Sequence, residues 1–163
     1  MRKTPVFVLV ILFLVGLALA VEPPPMKEGL WSVRTQMTNQ PGNAKTDFTF
    51  KLCRSHAYDQ HALELAKNNK GCKLVSENFT GGTYTLDSEC NMGGTVLKSK
   101  TTTTFQGDTA SHSETHGTYT PAFQGMTGST IIQDQKYLGA CPAGVGPGDR
   151  INADGSIMHL WRH

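Results

Sequence analysis

The sequence predicts a mainly β domain: an antiparallel meander, either a curved sheet or a partial barrel, with one short helix and two disulfides. Three observations carry this. Apolar and polar residues alternate with period two in several segments separated by glycine- and proline-rich turns, the pattern of half-buried strands. A single stretch, Ser55 to Lys70, strings together helix formers without glycine or proline. Four cysteines, Cys53, Cys72, Cys90 and Cys141, follow a leader-like N-terminus, and an even count in an exported chain reads as paired thiols.

The leader comes first. Met1-Arg2-Lys3 is a charged start, Val6 to Leu19 an apolar run relieved only by Gly16, and Ala18-Leu19-Ala20 a small-x-small cleavage site. That order is the order of a secretory signal peptide. A spanning helix needs about 20 apolar residues, and this run stops at Glu22 and the prolines Pro23, Pro24 and Pro25. Residues 1–20 are therefore read as signal peptide and 21–163 as one β-rich exported domain, periplasmic or secreted. No cysteine follows the cleavage site to take a lipid, and no transmembrane anchor is expected after cleavage. Cleavage takes 20 residues from 163 and leaves 143, the size of one domain. Of the 15 Lys and Arg residues, Arg2 and Lys3 go with the leader, so 13 basic face 13 acidic residues in a neutral domain. No basic run interleaved with aromatics exists, which excludes nucleic acid as a partner.

After the proline stub, Trp31, Val33, Thr35 and Met37 alternate with Ser32, Arg34 and Gln36 as a strand, and Gln40-Pro41-Gly42-Asn43 turns the chain. Phe48, Phe50 and Leu52 make a second strand that runs into Cys53. The helix follows, with Ser55 as its N-cap and Asn68-Asn69-Lys70-Gly71 as its end. So short a helix needs tertiary packing to persist, so its apolar stripe is expected against the sheet or closing one end of a barrel.

Two hairpins come next. Leu74-Val75 and Tyr84 to Leu86 flank Thr80-Gly81-Gly82; Val96 to Phe105 and Ala110 to Tyr119 flank Gly107-Asp108, where a leading glycine suits a two-residue type II′ turn. Ile131, Ile132, Tyr137 and Leu138 form a strand that leads into Cys141, Pro142 to Asp149 is an irregular tail, and Ile157 to Trp161 is a last strand or a docked hook. In the middle strands both parities are largely Thr, Ser, Lys and His, so neither face is marked as core. The disulfides follow from the first hairpin. A three-residue loop of Thr80-Gly81-Gly82 sets Phe79 opposite Thr83, and counting outward sets Asn78 against Tyr84, Ser76 against Leu86, Leu74 against Ser88 and Cys72 against Cys90. Cross-strand partners can be bridged, unless a bulge shifts the register by one. Cys53 is then left to pair with Cys141.

The opening Gly29-Leu30-Trp31, a cysteine after each of several strands, and the closing Gly139-Ala140-Cys141-Pro142-Ala143-Gly144 with Pro147-Gly148-Asp149 resemble a bacterial envelope family known as domain of unknown function 3617. The resemblance covers most of the mature chain. It implies a periplasmic or secreted protein of Gram-negative bacteria and no particular activity. Where the family usually carries an acidic residue after the tryptophan, this chain has Ser32.

No catalytic, cofactor-binding or metal-binding residue is assigned. In His112-Ser113-Glu114-Thr115-His116, His112, Glu114 and His116 share a strand face, yet the two histidines stand about 13 Å apart at the backbone, too far to share one metal. They read as a solvated face. Asp87 and Glu89 flank inward-facing Leu86 and Ser88 and also read as exposed carboxylates. No Gly-x-Ser-x-Gly, Walker or Gly-x-Gly-x-x-Gly pattern occurs in a workable context. Asn78-Phe79-Thr80 fits a glycosylation acceptor at the hairpin, a chance match if the source is bacterial, as the family resemblance implies. Trp31, Trp161, Phe48 and Phe50 read as core. Function is unknown from the sequence, and the leading reading is a non-enzymatic domain that binds a small apolar or amphipathic ligand or an envelope component, without a cofactor. The alternative is an envelope interaction protein or adaptor using a strand edge or the threonine-rich face. An enzyme comes third, because no acid, base or nucleophile set can be named.

Overall fold

Period-two alternation becomes nine antiparallel strands in the computed structural model, which describes residues 22–161. The signal peptide read at residues 1–20 lies outside the described residues. The strands are β1 (Gly29–Gln40), β2 (Ala44–Arg54), β3 (Cys72–Thr80), β4 (Thr83–Asn91), β5 (Val96–Gln106), β6 (Ala110–Phe123), β7 (Met126–Gly139), β8 (Asp149–Ile151) and β9 (Ile157–His159), with one helix, α1 (His56–Lys67), between β2 and β3. They form one sheet in the order β3-β4-β5-β6-β7-β1-β2-β8-β9. The sheet is a meander from β3 to β7, but β1 is inserted between β7 and β2. It does not close, so the partial barrel gives way to an open sheet with β3 and β9 as its edges. The connection through α1 passes over the five strands that separate β2 from β3 in the sheet.

Register divides the faces. Trp31, Val33 and Thr35 lie opposite Leu52, Phe50 and Phe48 on β2, and opposite Tyr137, Gln135 and Gln133 on β7. The same face continues through Ser111, Ser113 and Thr115 on β6 to Phe105, Thr103 and Thr101 on β5, and to Tyr84 and Leu86 on β4. The other face takes Lys98, Lys100, His112, Glu114, His116, Asp134 and Lys136. The expectation that neither face is marked is thus corrected. Charge marks it, because ionised groups need water whereas uncharged hydroxyls can satisfy one another.

The buried apolar core is small: Met26, Trp31, Val33, Leu52, Cys53 and Tyr84. Trp31, fully buried, donates its indole N–H to the Lys27 carbonyl at 2.9 Å, meets Tyr137 edge-on at 5.8 Å and carries the Arg54 guanidinium 4.7 Å above its ring. Gly29, two residues before it, has φ +137°, and a Cβ there would collide with the Gly139 carbonyl oxygen. The two ends of the family resemblance therefore meet at the β1–β7 pairing.

Both disulfides join the expected partners, Cys53 with Cys141 and Cys72 with Cys90. The route to the second differs. The turn is the two-residue Gly81-Gly82, both with positive φ (59° and 77°), and Thr80 faces Thr83. That puts Phe79 against Tyr84, Asn78 against Thr85 and Ser76 against Asp87, one residue off the expected count. A bulge between Leu74 and Ser76 absorbs the offset, and Cys72 returns to Cys90. The two glycines suit the primed turn that two-residue hairpins favour. The β5–β6 hairpin errs in the opposite sense: Gln106 pairs with Ala110, so Gly107-Asp108-Thr109 is a three-residue loop and no two-residue II′ turn forms.

Ser55 caps α1, its hydroxyl accepting from the Tyr58 N–H at 3.2 Å, and the helix ends at Asn68, whose N–H reaches the Glu64 carbonyl. The apolar stripe does not pack as expected. No residue of α1 is buried, and Leu65 is 61% exposed. The C-terminal tail is both strand and hook: β9 pairs with β8, the Leu160 N–H bonds the Gly148 carbonyl at 2.9 Å, and the Trp161 ring packs on Tyr58 at 5.9 Å and stacks on His61 at 5.5 Å. Gly148, at φ +86°, permits this, since a Cβ there would lie 2.7 Å from that of Trp161.

Candidate functional site

A helix with no buried side chain stands off its sheet, and charge holds it there. Near its start, Asp59 takes both arms of Arg54, Nε at 2.8 Å and Nη2 at 2.9 Å, while Nη1 of Arg54 donates to Gln135 at 2.7 Å. At its end, Lys67 reaches Glu77 on β3 at 2.8 Å, and the Tyr84 hydroxyl donates to the same carboxylate at 3.0 Å. Each ion pair is mostly buried, with side-chain exposures of 13% and 24% for the first and 24% and 22% for the second. The Lys67 hydrogen bond holds the Glu77 carboxyl below its ordinary range, and burial, then Glu77, pushes the Tyr84 phenol up to about 12.

Between helix and sheet lies a cleft of about 310 Å³. Val33, Phe50 and Leu52 form its strand wall, Tyr58, Asp59 and Ala62 its helix wall with Arg54 paired to Asp59, Leu160 one rim, and Gln133 and Gln135 its polar floor. The floor is a chain of neutral hydrogen bonds: Gln135 donates to Gln133 at 2.7 Å and Gln133 to Thr35 at 3.3 Å. Beyond β7 the same face carries hydroxyl pairs, Thr103 with Ser113 at 3.0 Å, Thr101 with Thr115 at 2.9 Å and Ser88 with Ser99 at 2.8 Å. Hydroxyl and amide groups paired in this way keep spare lone pairs or protons for a guest. Burial, with the neighbouring Asp59 carboxylate second, raises the Tyr58 phenol, which is therefore a neutral donor on the helix wall. Chemically, the cleft offers apolar contact on two sides and uncharged hydrogen bonding below.

The residues weighed from sequence lie elsewhere. His112, Glu114 and His116 face outward on β6, His112 against Asp134 at 2.7 Å and His116 against Glu114 at 2.8 Å. Among the described residues no group of three His, Cys, Asp or Glu is placed to hold a metal ion. Asp87 accepts from Ser76 at 2.6 Å and Glu89 faces Lys98 at 3.7 Å, both on the outer face. Asn78 and Thr80 end β3, exposed. Phe48 and Phe50 are corrected from core: they stack at 6.2 Å, Phe48 lies at the surface, 38% exposed, and Phe50 lines the cleft wall. Sequence reasoning missed Arg54, Asp59, Gln133 and Gln135. Their signal was present in the alternation of uncharged Gln133 and Gln135 with charged Asp134 and Lys136.

A family model described as "Protein of unknown function (DUF3617)" matches residues 26–141. That span runs from the residue before Lys27, whose carbonyl holds Trp31, to the second cysteine of the core disulfide, and so includes α1 and the strand walls of the cleft. No curated protein matches the chain.

Proposed function

The chain belongs to the DUF3617 family, which is defined without an activity, and from the cleft we propose that it is a non-enzymatic binding protein for a small apolar or amphipathic molecule. The observation that carries this reading is the unburied helix held over an apolar wall and a neutral polar floor by two ion pairs. A helix kept only for stability would bury its apolar stripe. Sites for small ligands are concave, mostly apolar and supplied with a few polar groups, and the cleft has that composition. The ionisable groups on its walls are neutralised within the pair Arg54 and Asp59, and no nucleophile with an oriented base lines it. We place the protein in the periplasm or outside the cell, the setting that suits two disulfides.

Native mass spectrometry of gently purified protein tests the reading. The expected result is a copurifying small molecule that is lost in an Ala62→Trp variant, whose indole fills the cleft. Unchanged ligand load in that variant would move the site elsewhere. A second reading, an adaptor, is favoured by one observation: β9 is a sheet edge whose Ile157 and Met158 are exposed, 45% and 49%, and such edges accept an added strand. Crosslinking that captures a protein through β9 from a chain with an empty cleft would support it over the first.

A further inference from the structure

Resting on the cleft-binding reading, we infer that the guest is a single-chain amphiphile with a carboxylate head, and that Arg150 is its counter-ion. Arg150 lies on β8 opposite Leu52, so its side chain extends over the inner face. Its guanidinium sits 4.2 Å from the Phe50 ring and 5.9 Å from Phe48, and Phe50 is a wall of the cleft. Among the described residues no carboxylate pairs with it, and its Nε is buried without a hydrogen-bond partner. Stacking on two rings therefore holds this cation in place and leaves its charge uncompensated.

The other cation at the cleft also stacks on a ring, that of Trp31, but its charge is met. Arg54 is met by the Asp59 carboxylate and by Gln135. Among the described residues, the charged lining groups Arg54 and Asp59 balance each other, and Arg150, stacked on the Phe50 wall, adds one positive charge beside the cleft. A carboxylate supplies one negative charge and the planar acceptor that a guanidinium matches. A phosphate monoester, at about −1.5 to −2, would bring an excess toward Asp59. The volume of about 310 Å³ is near the lower bound of ligand pockets, roughly 300 Å³, which admits one alkyl chain. Chain against Val33, Phe50, Leu52 and Leu160, with the head reaching Arg150 past the Phe50 ring on which that guanidinium stacks, is the arrangement that satisfies both the apolar wall and the unmet charge.

Fluorescence titration with cis-parinaric acid and with its methyl ester tests this on wild type, Arg150→Gln and Arg150→Lys. Wild type should bind the acid about tenfold tighter than the ester, the scale of one charge-assisted contact. Arg150→Gln should remove that preference by weakening the acid alone, and Arg150→Lys should keep most of it. Equal affinities in wild type, or a preference that survives Arg150→Gln, would overturn the carboxylate assignment and leave the cleft reading standing. Failure of both probes to bind wild type would refute the cleft reading itself.

Discussion

Breaking the Cys53–Cys141 disulfide should cost more stability than breaking Cys72–Cys90, and only the first should disturb the cleft. The two bridges close loops of very different size, with sequence separations of 88 and 18. In the chain-entropy treatment those lengths correspond to about 4.6 and about 3.2 kcal/mol at room temperature. Location adds to the difference. Cys53 is 1% exposed and belongs to the core, and its carbonyl accepts the Gly148 N–H at 2.8 Å, which ties down the segment carrying β8, Leu160 and Trp161. Cys72 and Cys90 join two strands that are already register partners at the sheet edge. Against a total of roughly 5–15 kcal/mol for an ordinary domain, Cys53→Ala/Cys141→Ala should sit near the limit of folding, with Cys72→Ala/Cys90→Ala well folded. Urea unfolding followed by tryptophan fluorescence measures both, since Trp161 reports on the tail and Trp31 on the core. A larger loss for the Cys72 and Cys90 pair, or an undisturbed Trp161 signal in the Cys53 and Cys141 variant, would refute the reasoning.

Asp59→Asn should cost about 2–3 kcal/mol, because it leaves the Arg54 charge, only 13% exposed, without its ion partner; equilibrium unfolding checks this, and a loss below about 0.5 kcal/mol would show the pair to be dispensable. Glu77 titrates below its ordinary value of 4.5 when folded, so its contribution is complete above that pH and is lost as pH falls through the folded value. Urea titrations at falling pH should therefore show wild type converging on Glu77→Gln in acid. Tyr84 has the opposite sense: its phenol is raised from 10.0 to about 12, so its stabilising effect holds below pH 10 and is lost as pH rises toward 12, and Tyr84→Phe should abolish the late step in tyrosinate absorbance. Leu65→Lys should change stability by less than about 0.5 kcal/mol, since Leu65 is 61% exposed; a larger loss in thermal unfolding would mean that α1 docks through that residue.

Elements whose signals are local were readable from sequence. The alternation around Trp31 and Phe50, the Ser55 cap and the cysteine pairing all appear where residue pattern puts them. Turn geometry was less readable, because Gly81-Gly82 and Gly107-Asp108 each suit loops of two or three residues. The Cys72–Cys90 bridge came out as expected through two compensating errors, a loop one residue too long and a bulge left out. The inner face was obscured by composition. Thr101, Thr103, Ser113 and Thr115 resemble surface residues until they pair with one another across strands. The cleft depended on non-local facts: that α1 crosses the sheet, and that Arg54 finds Asp59 and Gln135 together. Periodicity within a segment carries no information about such meetings.

The insertion of β1 between β7 and β2 gives the chain an unequal kinetic structure. The β1–β2 hairpin and the β3–β7 meander are each built from neighbours in sequence, so each closes short loops and can form quickly. The β1–β7 seam joins Leu30 to Gly139, as the short β2–β8 pairing joins Lys51 to Ile151, and nothing local prepares it. Two ready-made ladders must therefore find one another along a single edge, and until they do each exposes an unpaired strand to any other chain nearby. Trp31, Val33, Gln133 and Gln135 come together only across that seam, so the cleft exists only in chains that have completed the slow step. Under the binding function proposed above, ligand occupancy would count correctly folded molecules, and a guest that spans the seam would act as a template for the last event of assembly.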